Sequence, residues 1–262
     1  MASPSASASP AEIYDARFVP AVFGPFGERL CDALRIEPGH AVLDVACGTG
    51  ALTVAAAARA GGEGRVVGVD ANPEMLAVAR RKAATVQWHE GTAESLPFDD
   101  ASFDRVGSQF GMMFFDDPAV ALRQMHRVLR PGGRLAVAVC DAVDRSPGYA
   151  VLTELLHRLF GASVADAFRA PFVLGDRGRL EEIAHDASVP ATVQRLAGEV
   201  RFESIDDLVS TERACVWTLG GLLDDDQFAR LRDAARESLA PFAEPDGSVR
   251  FAMPALCIVA DA

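Results

Sequence analysis

The sequence predicts an α/β fold in which a mostly parallel sheet is doubly wound by helices. Three observations carry this. Short apolar runs at 41–46, 65–70, 86–91, 103–109 and 135–140 alternate with segments whose apolar residues fall at helical spacing. The runs at 41–46 and 65–70 read as buried parallel strands, whereas 86–91 alternates enough for a strand. Glycine and proline punctuate the joints, at Gly48-Thr-Gly50, Gly61-Gly-Glu-Gly64 and Arg130-Pro-Gly-Gly133. Right-handed crossovers then lay helices on both sheet faces, and ligands in such sheets bind beyond the carboxyl ends of the strands.

The elements follow in order. Residues 1–10, made of Ser, Ala and Pro after Met1, have neither a charged nor an apolar signal region and are expected to be a disordered tail. Residues 11–262 are expected to form one domain. Its segment 11–34 reads as one or two lid helices interrupted at Pro20 and Gly24-Pro25, with dense aromatics at Tyr14, Phe18, Phe23 and Phe26. Residues 35–140 form the core for a cofactor. After strand one at Ala41–Ala46, a helix runs from Thr49 to Ala60. Asn72 caps the helix after strand two, with Pro73 at its first position. Asp116-Asp-Pro118 opens the helix that reaches Leu129, and residues 130–133 are expected to be a tight turn. The segment 141–220 is read as a cap with helices over 147–160, 180–187 and 205–215 and a strand over 193–202. Residues 221–262 supply a last helix and a strand over 249–260.

Composition narrows the function. A net charge of −12 and an isoelectric point near 4.8 argue against a nucleic-acid or anionic-membrane surface. Mean hydropathy is slightly positive, at +0.14, yet no uncharged run of ~18 residues suggests a membrane span. The five cysteines are scattered without a CxxC pair, which suits reduced thiols in a cytoplasmic protein rather than disulfides or a zinc site. A small-molecule partner is expected, with a monomer or homodimer as the assembly.

The glycine turn at 48–50 is the centre of the site. A dinucleotide site would want a third glycine at residue 53, where Thr53 stands, and no Walker A lysine follows. Asp44 lies inside the strand, four residues before the first glycine, and suits a ligand amine. Asp70, about twenty residues after the turn, stands where a ribose hydroxyl is accepted. Together they indicate an amine-bearing, ribose-bearing cofactor without pyrophosphate.

The words Val-Leu-Asp-Val-Ala-Cys-Gly-Thr-Gly, Val-Val-Gly-Val-Asp, Asn-Pro-Glu-Met-Leu, Gly-Thr-Ala-Glu-Ser-Leu-Pro-Phe and Arg-Val-Leu-Arg-Pro-Gly-Gly-Arg-Leu occur in that order over residues 40–140. In this the chain resembles class I S-adenosylmethionine-dependent methyltransferases of the ubiquinone/menaquinone-biosynthesis-like (type 11) group, with fainter likeness over 171–176 and 180–193. The resemblance implies a Rossmann-like seven-stranded sheet of order 3-2-1-4-5-7-6 with strand seven antiparallel and helical cap insertions. It implies S-adenosyl-L-methionine as cofactor. Asp44, Ala46 and Gly48 would hold its methionine part, Asp70 its ribose, and Ala71 and Met75 would lie beside its adenine, with Thr92 and Ala93 near the adenine amine and Gly50 also among the cofactor-binding residues. Thr92 departs from the acid usual in the family but keeps an acceptor oxygen. Gln109 and Phe110 would lie under the sulfonium, and Gln124 replaces a frequent Glu on the helix before the Pro-Gly-Gly turn.

Methyl transfer from a sulfonium depends chiefly on positioning the acceptor and excluding water. No residue is marked as a base, and the catalytic candidates are His157, Asp141 and Tyr14. His40, His89, His126 and His185 read as surface residues. Phe18, Phe23, Met113, Phe114, Phe168, Phe172 and Trp217 are candidates for an acceptor pocket, and their number points to a flat or apolar substrate. Two other readings share the fold: a cofactor-binding protein without transfer, and a macromolecular methyltransferase. The latter lacks an Asn/Asp-Pro-Pro-Tyr word after strand four, where the chain reads Gln109-Phe-Gly-Met.

Overall fold

The computed structural model describes residues 9–215 and 217–262; the expected tail, residues 1–8 at least, lies outside them. Ser9 and Pro10, assigned to that tail, instead begin a helix. Ser9 accepts from the Glu12 amide and the Glu12 carboxylate accepts from the Ser9 amide, a reciprocal cap for α1 (Pro10–Ile13).

The helix does not break where proline and glycine predict. From α1 the chain continues through a π-helical stretch, Tyr14–Phe23, into α2 (Gly24–Leu34). Pro20 sits inside the π-helical stretch, where the wider winding accommodates a residue that disrupts an α-helix interior. The Gly24 amide bonds to the Val19 carbonyl five residues back, and a Cβ on Gly24 would lie 2.9 Å from that oxygen. The segment is held to the helix at Pro73–Lys82 by Arg81–Glu12 at 2.9 Å and Lys82–Asp15 at 2.6 Å. Surface pairs of this kind fix register more than they stabilise.

The core then winds as β1 (Ala41–Val45), α3 (Ala51–Ala60), β2 (Arg65–Asp70), α4 (Pro73–Lys82), β3 (Gln87–Glu90), β4 (Phe103–Gln109), α5 (Pro118–Arg127) and β5 (Leu129–Cys140). Asn72 accepts from the Glu74 and Met75 amides to cap α4, and Asp117 does the same for α5 through Ala119 and Val120. Gln124, in place of the expected Glu, accepts twice from Arg127, whose guanidinium also binds the Leu96 and Phe98 carbonyls. The tight turn expected at 130–133 is instead part of β5. Leu129 pairs with Phe103, the register slips by the next pair, and Gly132 (φ +78°) donates to the Ala262 carbonyl. A bulge absorbs the extra residues without leaving the strand.

Beyond β5 come α6 (Pro147–Phe160), α7 (Ala162–Arg169), α8 (Arg177–Asp186), β6 (Ala191–Leu196), β7 (Glu199–Phe202), α9 (Ile205–Ala214), α10 (Asp225–Ser238), β8 (Val249–Ala252) and β9 (Ala255–Asp261). The seven-stranded sheet runs β3-β2-β1-β4-β5-β9-β6, which is the expected order with β9 as the seventh strand, antiparallel to both neighbours. Each of the two long late strands is broken once. Pro254 interrupts 249–260 and Gly198 interrupts 193–202. The breaks face each other, with the Met253 amide donating to the Gly198 carbonyl at 2.8 Å. Any side chain on residue 198 would strike the Phe26 ring at 2.1 Å, so the chain must turn there on a glycine. Past the breaks β7 and β8 leave the main sheet and pair as a separate ribbon.

Two apolar clusters cover the sheet. One joins α2, α3 and the cap through Phe26, Leu30, Leu52, Leu152 and Phe168; the other packs α5 and α8 through Phe103, Leu122, Met125 and Leu180. The first extends past the sheet to the strands' carboxyl ends, so the lid and cap form one packed unit above the glycine turn.

Candidate functional site

A cavity of about 600 Å³ opens at the carboxyl ends of β1, β2 and β4. Of the residues expected to hold the cofactor, Asp44, Ala46, Gly48, Asp70, Ala71, Met75, Thr92, Ala93, Gln109 and Phe110 line it, while Gly50 does not. Gly50 has φ +86° at the N-terminus of α3, and a Cβ there would come within 2.7 Å of the Trp88 ring. Its glycine is needed for packing and backbone conformation.

The polar end of the cavity is built by backbone geometry. Asp70 Oδ2 accepts from the Gly48 amide at 2.7 Å and Oδ1 from the Asn72 amide at 2.8 Å, so one carboxylate fixes the turn after β1 and the start of α4. Each oxygen keeps a lone pair for a hydroxyl donor. Asp44 is buried and takes the Thr53 hydroxyl on Oδ2 at 2.5 Å, whereas its Oδ1 has no partner. Burial pushes its carboxyl up to about 7, opposed by the Thr53 hydrogen bond and reinforced by nearby Asp70. Burial also raises Asp70, and its two backbone bonds oppose that. An orphaned carboxylate oxygen beside a glycine (φ +55°) with open space where a side chain would project is a cradle for a ligand ammonium. These residues therefore fit the methionine and ribose parts of S-adenosylmethionine.

Two strand ends carry backbone that residues other than glycine seldom adopt. Ala46 (φ +56°) follows β1 and Phe110 (φ +54°) follows β4, and both line the cavity. A left-handed phenylalanine is costly and is held here by its surroundings. The Phe110 amide donates to the Ala138 carbonyl on β5, and its ring meets Phe26 edge-on with centroids 4.8 Å apart. Gln109 donates from Nε2 to the Phe23 carbonyl at 2.8 Å, tying the end of β4 to the N-terminal segment.

The other end is aromatic. All seven expected acceptor-pocket residues, Phe18, Phe23, Met113, Phe114, Phe168, Phe172 and Trp217, line the same cavity. Tyr14 joins them, stacked on Phe23 at 5.3 Å and edge-on to Trp217 at 5.8 Å. Burial raises its phenol, an effect that opposes deprotonation.

The other two catalytic candidates lie elsewhere. His157 is exposed on α6 and borders a separate surface depression with Asp144, Glu154 and Asp166. Asp141 is buried just after β5, but the Arg195 guanidinium binds its Oδ2 at 2.5 Å and its Oδ1 accepts from the Ala142 amide, so it braces β6. No histidine lines the cavity among the described residues.

Sequence reasoning missed Tyr149, Glu212, Cys140, Cys215 and Thr218, which line the aromatic end. Glu212 sits in a helix among ordinary surface acids and gave no local signal; Tyr149 was hidden in an amphipathic run.

Comparison with known proteins agrees with this geometry. Residues 43–137 match a family described as "Methyltransferase domain". The chain is 39% identical over 143 residues to demethylmenaquinone methyltransferase of Staphylococcus carnosus, covering 51% of this chain and 58% of that protein. It is 44% identical over 106 residues to the protein of the same name from Chlorobaculum parvum, covering 40% and 43%. The chain thus spans about half the length of the curated relatives it matches. Among solved structures, a putative methyltransferase from an antibiotic biosynthesis pathway of Anabaena variabilis superposes with a TM-score of 0.66, covering 92% of this chain and 98% of that one at 14% identity, a likeness of fold. The glycine turn and its two acids lie inside the matched segment, residues 43–137, and over that segment the chain is similar to S-adenosylmethionine-dependent methyltransferases.

Proposed function

We propose that this protein transfers a methyl group from S-adenosylmethionine to a small aromatic acceptor of the quinol kind. One observation carries the reading: a single cavity has two aspartates and a glycine turn at one end and a shell of aromatic rings at the other. The cofactor, when bound, supplies an activated methyl on a sulfonium.

The chain's own residues would do the rest. Asp44 Oδ1 takes the ammonium, Asp70 the ribose hydroxyls, and Met75, Ala71 and Ala93 the adenine, with Thr92 beside its amine. Gln109 and Phe110 form the wall between cofactor and acceptor. Phe23, Phe18, Phe168 and Phe172 hold a flat ring in place and keep water out, which is how such an enzyme gains most of its rate. The names of the relatives support a quinol acceptor, and the aromatic lining supports it independently. No helix among the described residues is long and apolar enough to cross a membrane. The five thiols support a reducing compartment, which we take to be the cytoplasm.

Calorimetry with S-adenosylmethionine, followed by transfer of labelled methyl to a panel of naphthoquinols and phenols, tests this. Cofactor binding with label in a ring-bearing product is expected. Binding without transfer to any acceptor would favour a cofactor-binding role, and no binding would overturn both.

A further inference from the structure

Glu212 is the least explained group in the cavity. It lies on α9, is 1% exposed, and lines the aromatic end. Its Oε2 is buried without a hydrogen-bond partner. A buried carboxyl left open in this way is costly unless a ligand completes it.

The Tyr149 hydroxyl from α6 and the Thr218 hydroxyl beyond α9 favour the ionised carboxyl, and the Thr218 hydroxyl donates to the Glu212 backbone carbonyl at 2.9 Å. The Cys140 thiol from β5 and the Cys215 thiol at the end of α9 line the same part of the cavity. Among the groups that shift Glu212 there is no cation. Burial therefore dominates and pushes its carboxyl up to about 7, with the two hydroxyls opposing. The effect of Glu212 on both thiols is to raise them further, so neither competes for a proton near neutrality.

The other carboxyls lining the cavity are accounted for. Asp70 holds the glycine turn, Asp44 takes the Thr53 hydroxyl and offers its other oxygen to the ammonium in the reading above, Glu94 accepts from the Asp116 and Asp117 amides, and Asp116 is exposed at the mouth. Tyr149 in turn packs against Phe168 and Phe172 at centroid distances of 5.9 and 5.8 Å, which puts Glu212 beside the rings that would clasp an acceptor.

We infer that Glu212 is the general base of this site, that its free oxygen receives the proton of a ring hydroxyl on the acceptor, and that Tyr149 positions it. The inference rests on the methyl-transfer reading above. The acceptor O–H bond breaks, its proton goes to Glu212 Oε2, and the electron pair stays on the acceptor as a phenolate. The methyl then bonds to that oxygen or to the adjacent ring carbon as its bond to sulfur breaks. One proton per turnover passes to solvent, from Glu212 or from the methylated carbon as the ring rearomatises. A carboxyl poised near the working pH is the efficient choice for such a step.

The test uses the full chain. Glu212→Gln is expected to lower kcat with a naphthoquinol acceptor ~100-fold or more and to abolish the rise of rate with pH that wild type shows up to about 7. Tyr149→Phe, which removes a hydroxyl that favours the ionised carboxyl, is expected to move that rise to higher pH. Binding provides a readout independent of turnover. With S-adenosylhomocysteine present, wild type is expected to bind 2-naphthol ~10-fold more tightly than naphthalene, and Glu212→Leu to erase the preference while S-adenosylhomocysteine affinity stays unchanged. An unaltered pH profile in Glu212→Gln, or an unaltered naphthol preference in Glu212→Leu, would overturn the assignment. If wild type methylates no acceptor at all, the transfer reading fails, and the naphthol–naphthalene comparison still decides whether Glu212 recognises a hydroxyl.

Discussion

The two ends of the cavity are made differently. The polar end comes from short stretches at successive strand ends, each folded by contacts within a few residues or with the adjacent strand. Asp70 bonding Gly48 and Asn72 is the pattern. The aromatic end comes from the lid at 10–34, the turn after β4, the segment after α6 and the end of α9, none adjacent in sequence. A carrier of fixed shape can be held by local backbone turns. An acceptor pocket assembled from separate segments can change with each of them.

That contrast can be broken by experiment. The largest effect is expected at the polar end: Gly48→Val and Asp70→Ala should each weaken S-adenosylmethionine binding ~100-fold or more by calorimetry, with the circular dichroism of the folded chain retained. Normal binding in either variant would dissolve the distinction between the ends. Asp44→Asn comes next, at roughly 10-fold, a charge-assisted hydrogen bond's worth. It should also remove a pH dependence. Asp44 must be ionised to take an ammonium and its carboxyl is raised to about 7, so wild-type affinity should fall as pH drops through 7 and the variant's should not.

Stability offers a third measurement. A carboxyl whose folded value lies above its unfolded value favours the fold while protonated, and that advantage is lost as pH rises between the two values. For Glu212 the window runs from about 4.5 to about 7. Glu212→Gln should therefore melt close to wild type at pH 4.5 and roughly 7–14 °C higher at pH 8. An equal melting temperature at both pH values would show that Glu212 is better solvated than its burial implies.

Smaller effects are expected at the seam. Gln109→Ala removes the bond to the Phe23 carbonyl and should raise the acceptor KM a few-fold, with a smaller effect on cofactor affinity. His157→Ala, far from both ends, should change neither quantity, and a loss of rate there would mean that the cap rearranges during turnover.

The same contrast explains what could be read from the sequence. β1 to β5 and their joints, apart from the turn expected at 130–133 that is part of β5, were legible because apolar runs, caps and glycine turns are local signals, and Asp44 and Asp70 stood at telling distances from Gly48. The aromatic lining was legible only as composition, a surplus of rings in segments without a strand role. Glu212 was not legible, because its burial is created by α6, β5 and the turn after α9. The positive φ of Phe110 was equally hidden, since nothing in Gln-Phe-Gly announces it. The breaks at Gly198 and Pro254 were readable as residues, but only the Phe26 ring makes a glycine necessary at 198.

Those two breaks have a consequence for how this domain could be varied. The ribbon they release ends on the rung Phe202–Val249, and the chain between those two residues leaves and returns at one point. That interval carries Glu212, Cys215, Trp217 and Thr218 into the cavity, yet among its described residues contributes no strand to the main sheet. It is a cassette closed at its own hinge. Exchange of residues 203–248 for a segment of another length would respecify the acceptor while leaving the strand order, and the grip on the methyl donor, as they were.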